Sequence, residues 1–169
     1  MLTNRRCGRP VGLMIGAVGG RDRVEAAYRA VHARLWRALL AFTGDAELAS
    51  DAEAEAFAQV LRRGDAVDDV EAWVWRSAFR IASGLLASRS TDLGAVDGSA
   101  SPTPSMTEFF DLLGGLSRQQ RACVALRYVG EYTAIEIGEL LGTSAGTVRV
   151  QLSRAHAVLR DSIREAEHA

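Results

Sequence analysis

Residues 133–160 read TAIEIGELLGTSAGTVRVQLSRAHAVLR, and this stretch decides the fold. Thr133 stands three residues before Glu136, the spacing of a capping box, and predicts a helix from there to Leu141. Gly142-Thr143-Ser144 is a tight turn, and Ser144 can cap a last helix with the apolar face Val148, Leu152, Ala155, Leu159 and Ile163. Two helices joined by a three-residue turn that contains Gly make a helix-turn-helix. Ile137 and Val148 stand where the two helices must pack, and Gly138 lies at their close approach, where a larger side chain would force them apart. The second helix presents Thr147, Arg149, Val150, Ser153 and Arg154 off its apolar stripe. From Ser144 to Arg160 there are three arginines and no acid. That local charge suits phosphate attraction and base-edge contacts in a major groove. An ordinary amphipathic hairpin with solvated arginines would share this pattern.

Upstream, Ser117 and Gln120 form a second capping-box pattern behind the apolar segment Phe109 to Leu116. The helix they open is expected to run to about Val129, where Gly130-Glu131-Tyr132 breaks it. Residues 91–105, TDLGAVDGSASPTPS, have the composition of a flexible linker. Before them, Val24, Tyr28, Val31, Leu35, Leu39 and Phe42 recur at helical spacing up to Gly44. Leu48, Ala52, Ala56, Val60 and Leu61 form the stripe of a second helix that ends at Arg62-Arg63-Gly64. After an acidic loop from Asp65 to Asp69, a third helix carries Val70, Val74, Ala78, Ile81 and Leu85 on one face, with Trp73, Trp75 and Phe79 beside it. The expectation is an all-α chain of two small domains. Residues 1–20 form a disordered leader, 21–90 a three-helix bundle, 91–105 the linker and 106–169 the helix-turn-helix domain.

Composition narrows the function. The chain is 48% hydrophobic with a formal net charge of −1, so it does not coat nucleic acid through bulk charge. Every basic residue is Arg. Cys7 and Cys123 lie far apart, which argues against a disulfide framework or a zinc site and fits a reducing cytoplasm; Cys123 reads as a small core residue. Arg5, Arg6 and Arg9 precede the short apolar run 11–18, faintly like a signal peptide. The run holds two Gly, and no clear cleavage site follows. The plainer reading is a leader, or sequence upstream of a start at Met14. No stretch reaches the roughly 20 apolar residues of a membrane span. His32, His156 and His168 are scattered without metal-ligand spacing and read as surface histidines. No phosphate-binding Gly loop is present, and no nucleophile, base and orienting group fall into a recognisable arrangement, so neither catalysis nor a cofactor or metal is expected.

From Leu113 to Arg160 the chain resembles region 4 of bacterial sigma factors. The resemblance rests on Leu116-Ser117, Gln120-Arg121, Leu126-Arg127-Tyr128, Glu136-Ile137, Leu141-Gly142-Thr143-Ser144, Gly146-Thr147-Val148 and Arg154-Ala155. The N-terminal half resembles region 2 of the same family through Gly44-Asp45, Ala49-Ser50-Asp51, Glu55, Phe57, Ala72-Trp73 and Arg76. A short linker in place of an extra domain is what the extracytoplasmic-function type looks like. The resemblance implies that Ser144, Thr147, Arg149, Val150 and Arg154 face the −35 promoter element. It further implies that Trp73, Arg76 and Arg80 serve at the −10 element and its melting, and that Asp51, Glu55 and Phe57 meet core RNA polymerase. The implied partners are core polymerase, promoter DNA and an anti-sigma protein. The sequence departs from the pattern at several positions. Val150 replaces a small polar residue, Ala54 a Gln, Arg80 an Asn and Gly84 an Asp; Ala87-Ser88 replace a basic pair, leaving Arg89. These departures on the melting helix keep open a second reading, a stand-alone helix-turn-helix regulator built on the same scaffold. Trp73, Trp75, Phe79, Arg76 and Arg80 supply the aromatic and cationic surfaces that hold splayed bases, and the apolar face requires at least one Trp for the core.

Overall fold

The computed structural model describes residues 19–92 and 104–168, and among them it is all-helical with no strand. Helix α1 spans Gly20–Thr43, α2 Ala46–Arg63 and α3 Val70–Asp92. Gly44 ends α1 in the left-handed region at φ 71°, a conformation that glycine adopts without a Cβ penalty. Asp45 then starts α2 at once. Its Oδ1 accepts from the backbone N–H of Glu47 (2.8 Å) and of Leu48 (3.0 Å). The loop between α2 and α3 begins with a 3-10 turn, Gly64–Ala66. It is pinned by Arg23, whose Nη2 donates to the carbonyls of Val67 (2.7 Å) and Asp68 (2.8 Å).

The three helices form the expected bundle. Val31, Leu35, Leu39 and Phe42 of α1 are buried against Ala49, Ala52, Ala56 and Val60 of α2 and against Val74, Ala78 and Ala82 of α3. The small residues of α2 let the backbones approach closely. Each large side chain fully buried here contributes about 1.5–3 kcal/mol. Three residues of the expected stripes stand at their exposed edges instead: Tyr28, Leu61 and Ile163. Tyr28 stacks on His32 (centroids 4.5 Å apart) and meets Phe57 edge-on (5.0 Å).

In the C-terminal half, α4 spans Pro104–Gly114, α5 Arg118–Val124, α6 Ala134–Leu141 and α7 Ala145–Glu167. Both capping boxes form: Ser117 with Gln120 and Thr133 with Glu136. Helix α5 does not run on regularly to Val129, since residues Ala125–Val129 make a π turn. Gly130 then sits so close to the Leu126 carbonyl that a Cβ there would lie 2.7 Å from it, and Glu131 takes a positive φ of 61°. Leu113, Leu116, Cys123, Leu126, Ile137, Val148 and Ala155 fill the core. Burial pushes the Cys123 thiol up to about 11, as expected of an inert core cysteine.

Helix α3 continues to Asp92 and α4 opens at Pro104, so the domain limits expected at 90 and 106 fall inside helices. The rest of the expected linker and residues 1–18 of the expected leader lie outside the described residues. The two halves also share one core. Trp75, with no exposed surface, packs edge-on against Tyr132 from the turn before α6 (5.1 Å, 75°). The Arg34 guanidinium lies 5.7 Å from the Trp75 ring, and Arg34 meets Glu131 at 3.7 Å. Among the described residues no helix is long and apolar enough to cross a membrane.

Candidate nucleic-acid interface

The turn between α6 and α7 is built as tightly as its sequence implies. A Cβ on Gly138 would lie 2.7 Å from the Thr143 carbonyl and 3.2 Å from the Ala145 nitrogen, so only glycine lets α6 cross this close. Gly142 ends α6 at φ 68°. Ser144 Oγ accepts from the Thr147 N–H at 3.0 Å and lies 2.9 Å from the Thr147 hydroxyl. Ile137 and Val148 are both fully buried where the helices meet.

With Val148 and Ala155 turned inward, α7 exposes Arg149, Val150, Ser153 and Arg154. Arg149 and Ser153, like Val150 and Arg154, are four apart and share a face. Neither arginine has an ion-pair partner among the described residues, so both guanidinium forks are free for an external acceptor. Ser144 and Thr147 belong to the same end of α7, but their hydroxyls already serve the cap. The positive end of the helix dipole adds to the attraction for phosphate.

Two further arginines join this surface. Arg118 is exposed at the start of α5, and Gln119 beside it accepts from Gln151 of α7 at 3.3 Å. Arg121 is half-buried with its Nε unpartnered. Burial, with the neighbouring charge of Arg118, lowers its pKa from the usual guanidinium value. Gln120-Arg121 stands in the sequence as part of the region 4 resemblance, but only the packing of α5 against α7 places it beside the exposed face of α7.

On α3, Trp73, Arg76 and Arg80 fall at spacings of three and four and make one stripe, with both arginines exposed and Trp73 half-buried. Trp75 points the other way, into the core, and Phe79 follows it, stacking on Phe42 (5.3 Å). Of the aromatic set, only Trp73 is left for an external partner. Gly84 continues the exposed stripe. Arg89 does not: it is bound to the Asp45 carboxylate.

The three residues implied as a polymerase contact are not equivalent. Asp51 is exposed and unpaired among the described residues. Glu55 accepts from Gln59 (2.9 Å) and Arg62 (2.8 Å), and these hydrogen bonds hold its carboxyl below the ordinary range. Phe57 is buried, facing the core rather than the solvent side of Asp51 and Glu55. Glu53, between them in sequence, is also buried and meets His32 Nδ1 at 2.9 Å. Burial pushes its carboxyl above the ordinary range against the opposing effect of His32. Among the described residues no group of three or more His, Cys, Asp or Glu could hold a metal ion.

Comparison with known proteins bears on both halves. Residues 107–157 match the protein-family model described as Sigma-70, region 4. No curated protein matches the chain in sequence. Among solved structures, the chain is similar to the co-crystal structure of the sigma factor RpoE in complex with the anti-sigma factor NepR from Bartonella quintana. The TM-score is 0.75 at 16% identity, covering 84% of this chain and 97% of that one. Residues 107–157 are therefore similar to sigma-70 region 4, and the likeness in fold to a solved sigma factor extends through the N-terminal bundle.

Proposed function

We propose that this chain is a sigma factor of the extracytoplasmic-function type, which binds core RNA polymerase and directs promoter-specific initiation of transcription. The observation that carries the reading is the coincidence of two surfaces in one chain. A helix-turn-helix similar to region 4 exposes unpaired Arg149 and Arg154 on α7, and the N-terminal bundle exposes Arg76 and Arg80 beside the half-buried Trp73 on α3. The first suits base edges and phosphates of duplex DNA. The second, cationic and aromatic, suits bases that have left the stack. A regulator that only binds duplex operators has no use for the second surface.

In this mechanism α7 enters the major groove at the −35 element, and Arg118 and Arg121 support it on the phosphates. Helix α2 docks on polymerase through Asp51 and the Glu55 end of its exposed face, while α3 receives the opened −10 strand. Unwinding is driven by captured bases and polymerase contacts, so the chain itself performs no chemical step. The anti-sigma partner of the structural neighbour supports a regulator of the same class for this chain. Reconstituted transcription tests the proposal: core polymerase with this chain should give discrete promoter-dependent transcripts from genomic fragments. Absence of any such transcript, together with tight operator binding by the chain alone in a gel shift, would establish the stand-alone regulator instead.

A further inference from the structure

The stripe on α3 has a companion from the preceding helix. Arg63 is the last residue of α2, and Gly64 directly after it takes φ 58°, turning the chain away. The Arg63 side chain lies over α3, its guanidinium carbon 5.3 Å from the centroid of the Trp73 ring. Trp73 also packs against the core, so the indole is supported by the fold and capped by a cation. The adjacent Arg62 is taken by Glu55, whereas Arg63 has no carboxylate against it among the described residues. A carboxylate would fix Arg63 in place; the indole holds it only weakly, as cation–π contacts at exposed sites do. A nucleobase presents a flat π face of the same kind as the indole, and its stacking on an aromatic side chain is the stronger contact. A guanidinium stacks on such faces as well, being planar and weakly hydrated.

We propose that Arg63 is a further DNA-contacting residue: it rests on Trp73 until strand separation delivers an unpaired base, which inserts between guanidinium and indole and is held on both faces. The inference rests on the proposed function, since only a strand-opening protein meets unpaired bases at this surface. Arg76 and Arg80, one and two turns along, are placed for the phosphates that follow the captured base.

The test uses holoenzyme assembled from core polymerase and this chain, with a genomic promoter fragment that the wild type transcribes. The fragment is offered as full duplex and with its start-proximal element mismatched, carrying 2-aminopurine in that element. Arg63→Ala should weaken binding to the mismatched fragment by about tenfold or more and lose the 2-aminopurine quenching. Co-purification with core polymerase should be unchanged. Arg63→Lys keeps the charge but not the flat surface and should not restore the quenching. Trp73→Ala should cost as much, and the double variant little more than either alone. Full rescue by Lys would reduce Arg63 to a phosphate contact and overturn the proposal. So would an Arg63→Ala holoenzyme that binds and quenches like wild type. A wild-type holoenzyme that transcribes nothing would overturn the proposed function and this inference with it, an outcome distinct from the other two.

Discussion

Arg89, three residues from the end of α3, binds the carboxylate of Asp45, the residue that caps α2. One side chain thus closes two elements: Oδ1 serves the free N–H groups of α2 while Oδ2 holds the C-terminal end of α3 through Arg89. Asp45→Ala should destabilise the chain by about 1–2 kcal/mol in urea denaturation at neutral pH. Asp45→Asn keeps a cap but not the charge. Burial raises the Asp45 carboxyl, but hydrogen bonds from the Leu48 amide, from Arg89 and from the Glu47 amide outweigh it, so its pKa lies below the ordinary value. A depressed carboxylate contributes stability above its unfolded pKa and loses it as pH falls through the folded one. The deficit of Asp45→Asn should therefore shrink as the pH drops below about 4. A deficit that stays constant with pH would show that the charge contributes nothing.

Glu53 has the opposite sign. Its pKa is raised, chiefly by burial, so its contribution to stability is complete below the unfolded value and is lost as pH rises through the folded value. Glu53→Gln keeps an acceptor for His32 without a buried charge. At pH 8 the variant should melt at or above the wild-type temperature, with the difference fading below about pH 4. A variant that melts well below wild type at pH 8 would mean that the His32 contact outweighs the cost of burying the charge.

Asp51→Arg with Glu55→Arg should abolish co-purification with core polymerase and leave helical content by circular dichroism nearly unchanged. The two acids lie off the buried stripe, so the core is not emptied. Reversing charge at a charged contact costs several kcal/mol, on the order of a hundredfold or more in affinity. Because Glu55 is already paired with Arg62, Asp51→Arg alone should account for most of the loss. Wild-type yield of the complex from the double variant in moderate salt would remove α2 as the docking face.

Arg149→Ala should weaken binding of the holoenzyme at the upstream element by about 1–3 kcal/mol and relax base preference at one position. Binding to scrambled DNA should fall much less. Affinities for promoter and for scrambled DNA that both stay at their wild-type values would leave Arg149 as a solvated residue.

The helices and most of the helix-turn-helix were legible because their signals are local. Caps such as Ser117, Thr133 and Ser144 lie within four residues of what they cap, and apolar stripes repeat within a turn or two. Gly138 was legible for the same reason, since the turn it must clear follows it directly. What escaped depends on partners far away or on direction around a helix. Asp45 and Arg89 are 44 residues apart, and no periodicity links them. Glu53 looks in sequence like its neighbours Asp51 and Glu55, yet an offset of two turns it inward. Trp75 rather than Trp73 is the core residue, which the spacing Trp75, Ala78, Phe79, Ala82 records once the inward direction is known. The π turn at Ala125–Val129 inserts one residue into a helix and carries no composition signal of its own. The resemblance implies a surface role for Phe57, whereas the side chain is buried against Tyr28.

The contact of Trp75 with Tyr132 sets a geometric condition on the proposed function. Elements named for positions −35 and −10 lie about 25 base pairs apart, about 85 Å at about 3.4 Å per pair. A compact chain of this length measures about 40 Å across. The two halves cannot touch both elements while Tyr132 covers Trp75, so the seam competes with the promoter for the same molecule. If joined molecules outnumber parted ones by about ten to one, apparent affinity for a two-element promoter falls by about the same factor, while affinity for either element alone need not change. Tyr132→Ala would then tighten two-element binding by shifting that ratio, and the more weakly the seam holds, the less of its promoter affinity the chain keeps in reserve.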